Sequence, residues 1–300
     1  MSKSIPRSKS EISFSIVIYS ILMVLFIVTF YPFWQVFIVS INDAVDTVKG
    51  GLYFFPRKFS LESYITLLLD ENFVGSIKVT ILRTIIGAPL AVLCTSMAAY
   101  SLSKRDLIGR KPIKMAFIFT MYFSGGLIPF YMILNTLHLI DKFSVFIFPN
   151  LINVFYMILI ITYIESLPAE LEESAKIDGA NDLVIFFKII IPLCMPILAT
   201  IILFNAINQW NSWFDSFAFT NKRSLKTLQA MLVLILTQYD TTAMQNSFSA
   251  RMSAAANRGT VNADSIRMAA TMLATLPIIL VYPFLQRFFV KGIMVGAVKA

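Results

Sequence analysis

The fold class predicted for this chain is all-α, a polytopic membrane protein with six transmembrane helices and both termini in the cytoplasm. Three observations lead there. Of 300 residues, 57% are apolar and 14% charged, with 27 Phe and 11 Tyr, a composition that excludes a water-exposed globule. Six runs carry no charge and, at about 1.5 Å per helical residue, are long enough to cross a roughly 30 Å hydrocarbon core. Lys and Arg gather at the ends of alternate runs, the pattern left by retention of basic residues in the cytoplasm.

The first run, Ile12–Asn42, follows Lys3, Arg7 and Lys9, so a cleaved signal peptide has to be considered. It is far longer than the roughly 7–15 residues of a signal core and has no A-x-A-like exit, so it is expected to stay as the first helix. The second run, Thr84–Ser103, ends at a short loop holding Lys104, Arg105, Arg110, Lys111 and Lys114, which places that loop inside. The third, Met115–Ile140, contains Gly125-Gly126 ahead of Pro129, a combination that permits a bend or a close helix contact. A short outer loop with Lys142 follows, then the fourth run, Phe143–Ile164. The fifth and sixth are Ile189–Phe214 and Met268–Gln286, the last preceding Arg287, Lys291 and Lys299. Between them Thr227–Tyr239, bounded by Lys226 and Asp240, would reach only about 20 Å as a helix. That is too short to span, so it is expected to pack at the membrane surface or to be re-entrant. Segments 43–72 and 210–266 then lie outside. Topology accounts for most of the net charge of +8, with no need for a nucleic-acid partner.

Glu173 to Pro192 puts a charged, Gly-broken stretch between two spans, on the inner side. Leu167-Pro168 fits a helix start with Ser166 as N-cap, and Glu170, Glu172 and Glu173 suit the positive end of the helix dipole. Gly179 permits the bend that ends the helix. The run Glu173-Ser174-Ala175, three residues, Gly179, nine residues, then Ile189-x-Ile191-Pro192 resembles the EAA signature of permeases of bacterial ABC importers. Ser174 stands where a second alanine is usual, and Ile191 where leucine precedes the proline. Other blocks are similar to the carbohydrate, maltose-permease-like branch, and within it to permeases for complex oligosaccharides. They are Ala98–Ser103, Phe123–Pro129, Leu171–Ala180, Trp210–Phe214 and Tyr282–Lys299, in the family's order over most of residues 70–300.

The resemblance implies a type I ABC importer permease fold in the bacterial cell membrane. Residues 1–69 would form the N-terminal tail, first helix and first outer loop, 70–290 the permease domain, and 291–300 a cytoplasmic tail. Residues of about 168–180 would be the coupling helix, seated in a cleft of an ATPase subunit through Glu172, Glu173, Ser174, Ala175, Asp178 and Gly179. Glu173 would meet the ATPase surface, Ala175 would permit close approach, and Gly179 would let the chain turn. The implied partners are a second, related permease, two ATPase subunits that bind ATP and Mg, an extracellular sugar-binding protein and an oligosaccharide cargo. Transport would proceed by alternating access. The chain itself has no G-x-x-x-x-G-K-[ST] phosphate loop and is expected to be neither an enzyme nor a holder of a cofactor or metal.

Polar residues inside the spans mark a candidate pathway. Asn205, Asn208, Gln209 and Ser212 recur at i, i+3, i+4 and i+7, so they share one helix face. They either hydrogen-bond to neighbouring helices or line a wet path for sugar hydroxyls. Trp210 and Trp213 flank the stripe, as interfacial anchors or as rings that stack on sugar faces. Asn150 and Asn153 repeat the theme in the fourth span. Arg83, preceded by Lys78, either snorkels at the outer interface or faces the cavity and favours an acidic sugar. Cys94 and Cys194 have no paired spacing and are expected to be free buried thiols, and His138 to be a surface residue. An ion-coupled transporter or channel would usually carry intramembrane carboxylates, and the six runs contain no Asp or Glu. A permease for a non-sugar solute is the nearer alternative.

Overall fold

The computed structural model describes residues 9–238 and 262–297. Lys3, Arg7, Tyr239, Asp240 and Lys299 lie outside the described residues, and Lys9, Arg287 and Lys291 are described by backbone alone. The helices in order are α1 Lys9–Ser40, α2 Ala44–Thr47, α3 Glu62–Leu68, α4 Glu71–Ser103, α5 Arg110–Tyr122 and α6 Leu127–Thr136. After two short 3-10 turns come α7 Val154–Ile164, α8 Glu170–Ile177, α9 Asp182–Ile185, α10 Ile191–Asn211, α11 Phe214–Phe219, α12 Leu228–Gln238 and α13 Ala263–Ala297.

Four continuous stretches are long and apolar enough to cross a membrane: Glu11–Ser40, Glu71–Ser103, Asp182–Asn211 and Ala263–Tyr282. Two bent pairs bring the number to the expected six if each pair counts as one span. α5 and α6 meet at 118°, and the turns of Phe143–Asn150 meet α7 at 44°. The third expected span is therefore not one continuous helix. Gly126 sits at φ 86°, a backbone state that side chains resist, and Gly125 has Pro129 Cβ at 4.0 Å from where its own Cβ would stand. The second helix begins at Glu71, well before Thr84, and includes Lys78 and Arg83. It continues past the charge-free run because Arg83 finds partners inside the bundle. The fifth likewise starts early, at Asp182, and passes through a π-turn at Phe186–Ile190 before α10. The short apolar helix expected near 227–239 is α12.

The described residues fall into two compact units. One comprises residues up to Asp70 together with Leu236–Leu273, the other Glu71–Ile235 together with residues from Ala274. In the first, the chain leaving α1 is tied by Asn42, whose amide Nδ2 donates to Asp46 at 3.2 Å and Thr47 at 3.0 Å. Arg57 bridges Asp46 Oδ2 at 2.9 Å and the Gly50 carbonyl at 2.7 Å.

In the second unit α4 packs against α10 and α7. Its buried face includes, besides larger side chains such as Phe73, Arg83 and Tyr100, the small residues Ser76, Thr80, Gly87, Ala88, Ala91, Thr95, Ser96 and Ala99. In lipid, burial from water does not drive helices together, and small side chains that let backbones approach do. A Cβ on Gly87 would meet Gln209 Nε2 and Ile147 Cδ1, both at 3.1 Å, so the approach of α10 there depends on glycine. Towards the other end of α4, Ala99, Tyr100 and Leu102 join Ile160, Ile164, Ile185, Phe186, Ile190 and Cys194 in one apolar cluster. Cys194 is buried, Cys94 is half-buried, and both are free.

Candidate functional site

Two polar assemblies stand at opposite ends of α4. The first is a cavity of about 180 Å³ lined by Arg83, Pro149, Asn150, Ile152, Asn153, Tyr156, Asn205, Asn208, Gln209 and Ser212. The helical spacing of the α10 amides thus places all four polar residues on one wall, and Asn150 and Asn153 close the wall opposite. The α7 amide that precedes the helix is also its cap: Asn153 Oδ1 accepts from Tyr156 N–H at 3.1 Å. Asn150 Nδ2 donates to the Phe146 carbonyl at 3.2 Å, and Asn208 Nδ2 to Tyr156 Oη at 3.4 Å.

Arg83 does not snorkel. Its side chain is 1% exposed and makes a two-pronged contact with Asp215, Nη1 to Oδ1 at 3.1 Å and Nη2 to Oδ2 at 2.6 Å. Nε and Nη2 also donate to Gln209 Oε1 at 2.9 and 2.7 Å, and the guanidinium lies 4.7 Å from the centre of the Phe146 ring. Asp215 is held in turn by Ser212 Oγ at 3.0 Å and the Ser216 N–H at 2.8 Å. The chain can supply this carboxylate because α10 stops at Asn211, Ser212 is extended, and α11 restarts at Phe214. An arginine buried in a bundle demands a paired anion. That requirement is the signal by which Asp215, absent from the sequence-predicted set, could have been found. Neither tryptophan lines the cavity. Trp210 Nε1 donates to the Ala274 carbonyl at 3.1 Å, while Trp213 is exposed and packs on Phe214 and Phe217.

The second assembly surrounds α8. The helix is short and starts at Glu170, with Glu170, Glu172 and Glu173 in its first turn. Ser166 is not its cap, for its hydroxyl donates to the Tyr163 carbonyl at 2.6 Å and so serves the end of α7. The C-terminus closes with two crossed bonds, Ala180 N–H to Ala175 O at 2.9 Å and Gly179 N–H to Lys176 O at 3.0 Å, around Gly179 at φ 82°. Ala175 faces inward, joining the cluster of Tyr100 and Ile164, and is not available to an outside cleft. Glu173, Ser174, Asp178 and Gly179 are exposed, and so is Ile177, at 86%. The 104–114 loop lies at this same end. Lys104 contacts Glu172, stands 3.6 Å from Asp182 and lies 4.1 Å from the centre of the Tyr100 ring. Burial disfavours its charge, but the bonds to Glu172 and Tyr100 outweigh that and hold its pKa above the ordinary 10.5. Arg110 and Lys114 both reach Glu165, the latter at 3.2 Å.

Among the described residues no cluster of His, Cys, Asp and Glu suited to a metal is present. His138, at φ 54°, is exposed.

No protein-family profile matches the chain. It is 36% identical to the polygalacturonan/rhamnogalacturonan transport system permease protein YtcP of Bacillus subtilis (strain 168), over 95% of this chain and 98% of that one. It is 35% identical to protein LplC of the same organism, over 91% and 90%. Among solved structures, it superposes with a TM-score of 0.86 and 30% identity on a chain of a bacterial ABC transporter involved in the import of the acidic polysaccharide alginate, over 95% of this chain and all of that one. The sequence relationship to the two Bacillus permeases and the fold shared with the alginate importer chain thus extend over nearly the whole length of this chain. The chain belongs to the family of membrane permeases of bacterial ABC carbohydrate importers.

Proposed function

We propose that this permease forms one half of a pore that imports oligosaccharides. A second permease would complete the pore, two ATPase subunits would bind ATP and Mg, and an extracellular protein would deliver the sugar. The observation that carries the reading is the cavity walled by Asn150, Asn153, Asn205 and Asn208, in a chain related end to end to a polygalacturonan/rhamnogalacturonan permease. Amides paired with a tyrosine suit hydroxyl-rich ligands, since each amide both donates and accepts.

Both termini, the 104–114 loop and α8 lie in the cytoplasm in this reading, with residues 70–290 as the permease domain. α8 is the coupling helix, and its exposed Glu173, Ser174 and Asp178 meet the ATPase. ATP-driven closure of the ATPase pair draws the two coupling helices together and turns the pore outward, and hydrolysis resets it. Uronate-containing sugars are favoured, because the related permease and the alginate importer both name acidic polymers. Since Asp215 already neutralises Arg83, amide N–H groups would meet the sugar carboxylates on this side of the pore.

The test is uptake into liposomes carrying the whole importer, with oligogalacturonate compared with a neutral arabino-oligosaccharide. Asn208→Ala should raise the KM for uptake several-fold and leave the assembled complex intact. An unchanged KM with weakened assembly would assign the amide to helix pairing instead. Gly179→Leu should lose copurifying ATPases, and normal copurification with normal sugar-stimulated hydrolysis would refute the docking role of α8.

A further inference from the structure

α4 touches both walls of the amide cavity as well as the helix proposed to meet the ATPases. Thr80 Oγ1 accepts the Leu228 N–H at 2.8 Å, where α12 begins. Arg83 grips Gln209 and Asp215, and at Gly87 the α10 side chain of Gln209 closes to within 3.1 Å of a Cβ position. Thr95 Oγ1 donates to the Leu151 carbonyl and accepts the Asn153 N–H, both at 3.2 Å, fixing the bend that carries Asn150 and Asn153. Tyr100 packs 5.4 Å from Phe186 by ring centres, and Lys104, one residue past the helix, engages Glu172 and Asp182. Arg83 and Lys104 are separated by about 31 Å of helix at 1.5 Å per residue.

α8 has only eight residues. Its chain connections are an irregular stretch at 165–169 and the turn at Gly179, neither of which is stiff along its length. Side-chain contacts must therefore carry sideways load into the bundle. Ala175 supplies an apolar contact that can slide. Lys104, 15% exposed in its side chain and engaging two carboxylates from α8 and α9, supplies a directional one. Coupling between distant sites travels through packed, rigid elements.

We propose that α4 is the rod by which displacement of the coupling helix reaches the amide cavity, and that Lys104 is the positioning residue that fastens that helix to it. The proposal rests on α8 being the coupling helix. The competing route is the covalent one, from α8 through α9 into α10, for which Lys104 would be dispensable.

The decisive measurement is sugar moved per ATP hydrolysed by the whole importer in liposomes. In Lys104→Met, uptake should fall about ten-fold while sugar-stimulated hydrolysis stays within about two-fold, a loss in the range of typical coupling energies, and Lys104→Arg should restore the ratio. An unchanged ratio in Lys104→Met overturns the proposal, as does loss of the ATPases from the complex, which would make Lys104 a docking residue. A second test replaces Lys104 and Glu172 by cysteine in a chain whose Cys94 and Cys194 are serine, and bridges the pair with a bifunctional methanethiosulfonate reagent, whose spacer stands in for the reach of the two long side chains. A fastening that never opens predicts that the cross-linked importer still transports. Transport abolished by cross-linking and regained with a thiol reductant would overturn it. Failure of the Gly179→Leu test would remove the coupling role of α8 itself and is read by copurification, not by this ratio.

Discussion

The two ends of α4 each carry a cation bound to carboxylates, and they are built to different standards. Arg83 is 1% exposed and its partner Asp215 16%, with a planar fork matched to both carboxylate oxygens. Lys104 is 15% exposed, and its partners Glu172 and Asp182 are 23% and 69% exposed. The first is a closed knot, costly to assemble from solvated ions and costlier to leave half-made. The second is a partly wet joint at an aqueous surface, where water screens the charges and the partners can adjust. In the proposed importer, the amide cavity as pore wall would need fixed geometry, and α8 as coupling helix would need a grip whose partners can adjust.

The contrast is broken most severely by removing the anion from the closed end. Asp215→Leu leaves Arg83 buried and unpaired and should cost about 3–5 kcal/mol, seen as a lower melting temperature and poor accumulation in the membrane. The double variant Arg83→Met with Asp215→Leu should recover most of that loss. Should the double variant remain as unstable as the single one, the knot matters for its shape and not for its charge. A milder probe of the same end is Gly87→Val, which forces added atoms against Gln209 and Ile147 and should cost about 1–3 kcal/mol. It should also disturb sugar affinity, because Gln209 lines the cavity.

At the wet end, Gly179→Ala meets no neighbour within 4 Å yet keeps the strained φ of 82°. It should therefore cost about 1–2 kcal/mol through the backbone alone. Hydrogen exchange should report faster opening confined to the last turn of α8, and Gly179→Asn should be gentler because asparagine tolerates the left-handed region. The smallest effect concerns pH. Lys104 has a raised pKa, so the grip it provides is complete below the ordinary lysine value of 10.5 and is lost only as pH rises through the higher value. Competitive acylation between pH 8 and 10 should label Lys104 more slowly than a solvated lysine. Equal labelling would show that the joint is open in solution.

Much of this architecture was legible in the chain because long apolar helices are written in hydropathy. The α10 stripe was legible for the same reason, since i, i+3, i+4 and i+7 must share a face whatever lies opposite. What lies opposite was not legible. The choice for Arg83 between the interface and the cavity stayed open because a single-helix view cannot see Asp215, more than a hundred residues away, turning back to pair with it. Ala175 looked like an outward contact because a motif gives positions along the chain and not the side of the helix they occupy. Ser166 met the compositional rule for a cap, but its hydroxyl was captured by the preceding helix. The break in the third span was half-written: Gly125-Gly126 licensed a bend, while its 118° depended on packing that no local rule contains.

That break also sets a demand on what lies beside it. From Tyr122 to Ile128 the described residues are all exposed, and no helix ladder covers the peptide groups between α5 and α6. Hydrocarbon offers such groups no hydrogen bonds, so they require a neighbouring polypeptide or a water-filled lumen beside them. Phe123 N–H reaches the Phe119 carbonyl at 3.0 Å and Gly126 N–H the Ser124 hydroxyl at 3.3 Å, so the demand falls on the rest of the exposed backbone between the two helices. The bend therefore suits a face turned toward protein or water rather than toward acyl chains.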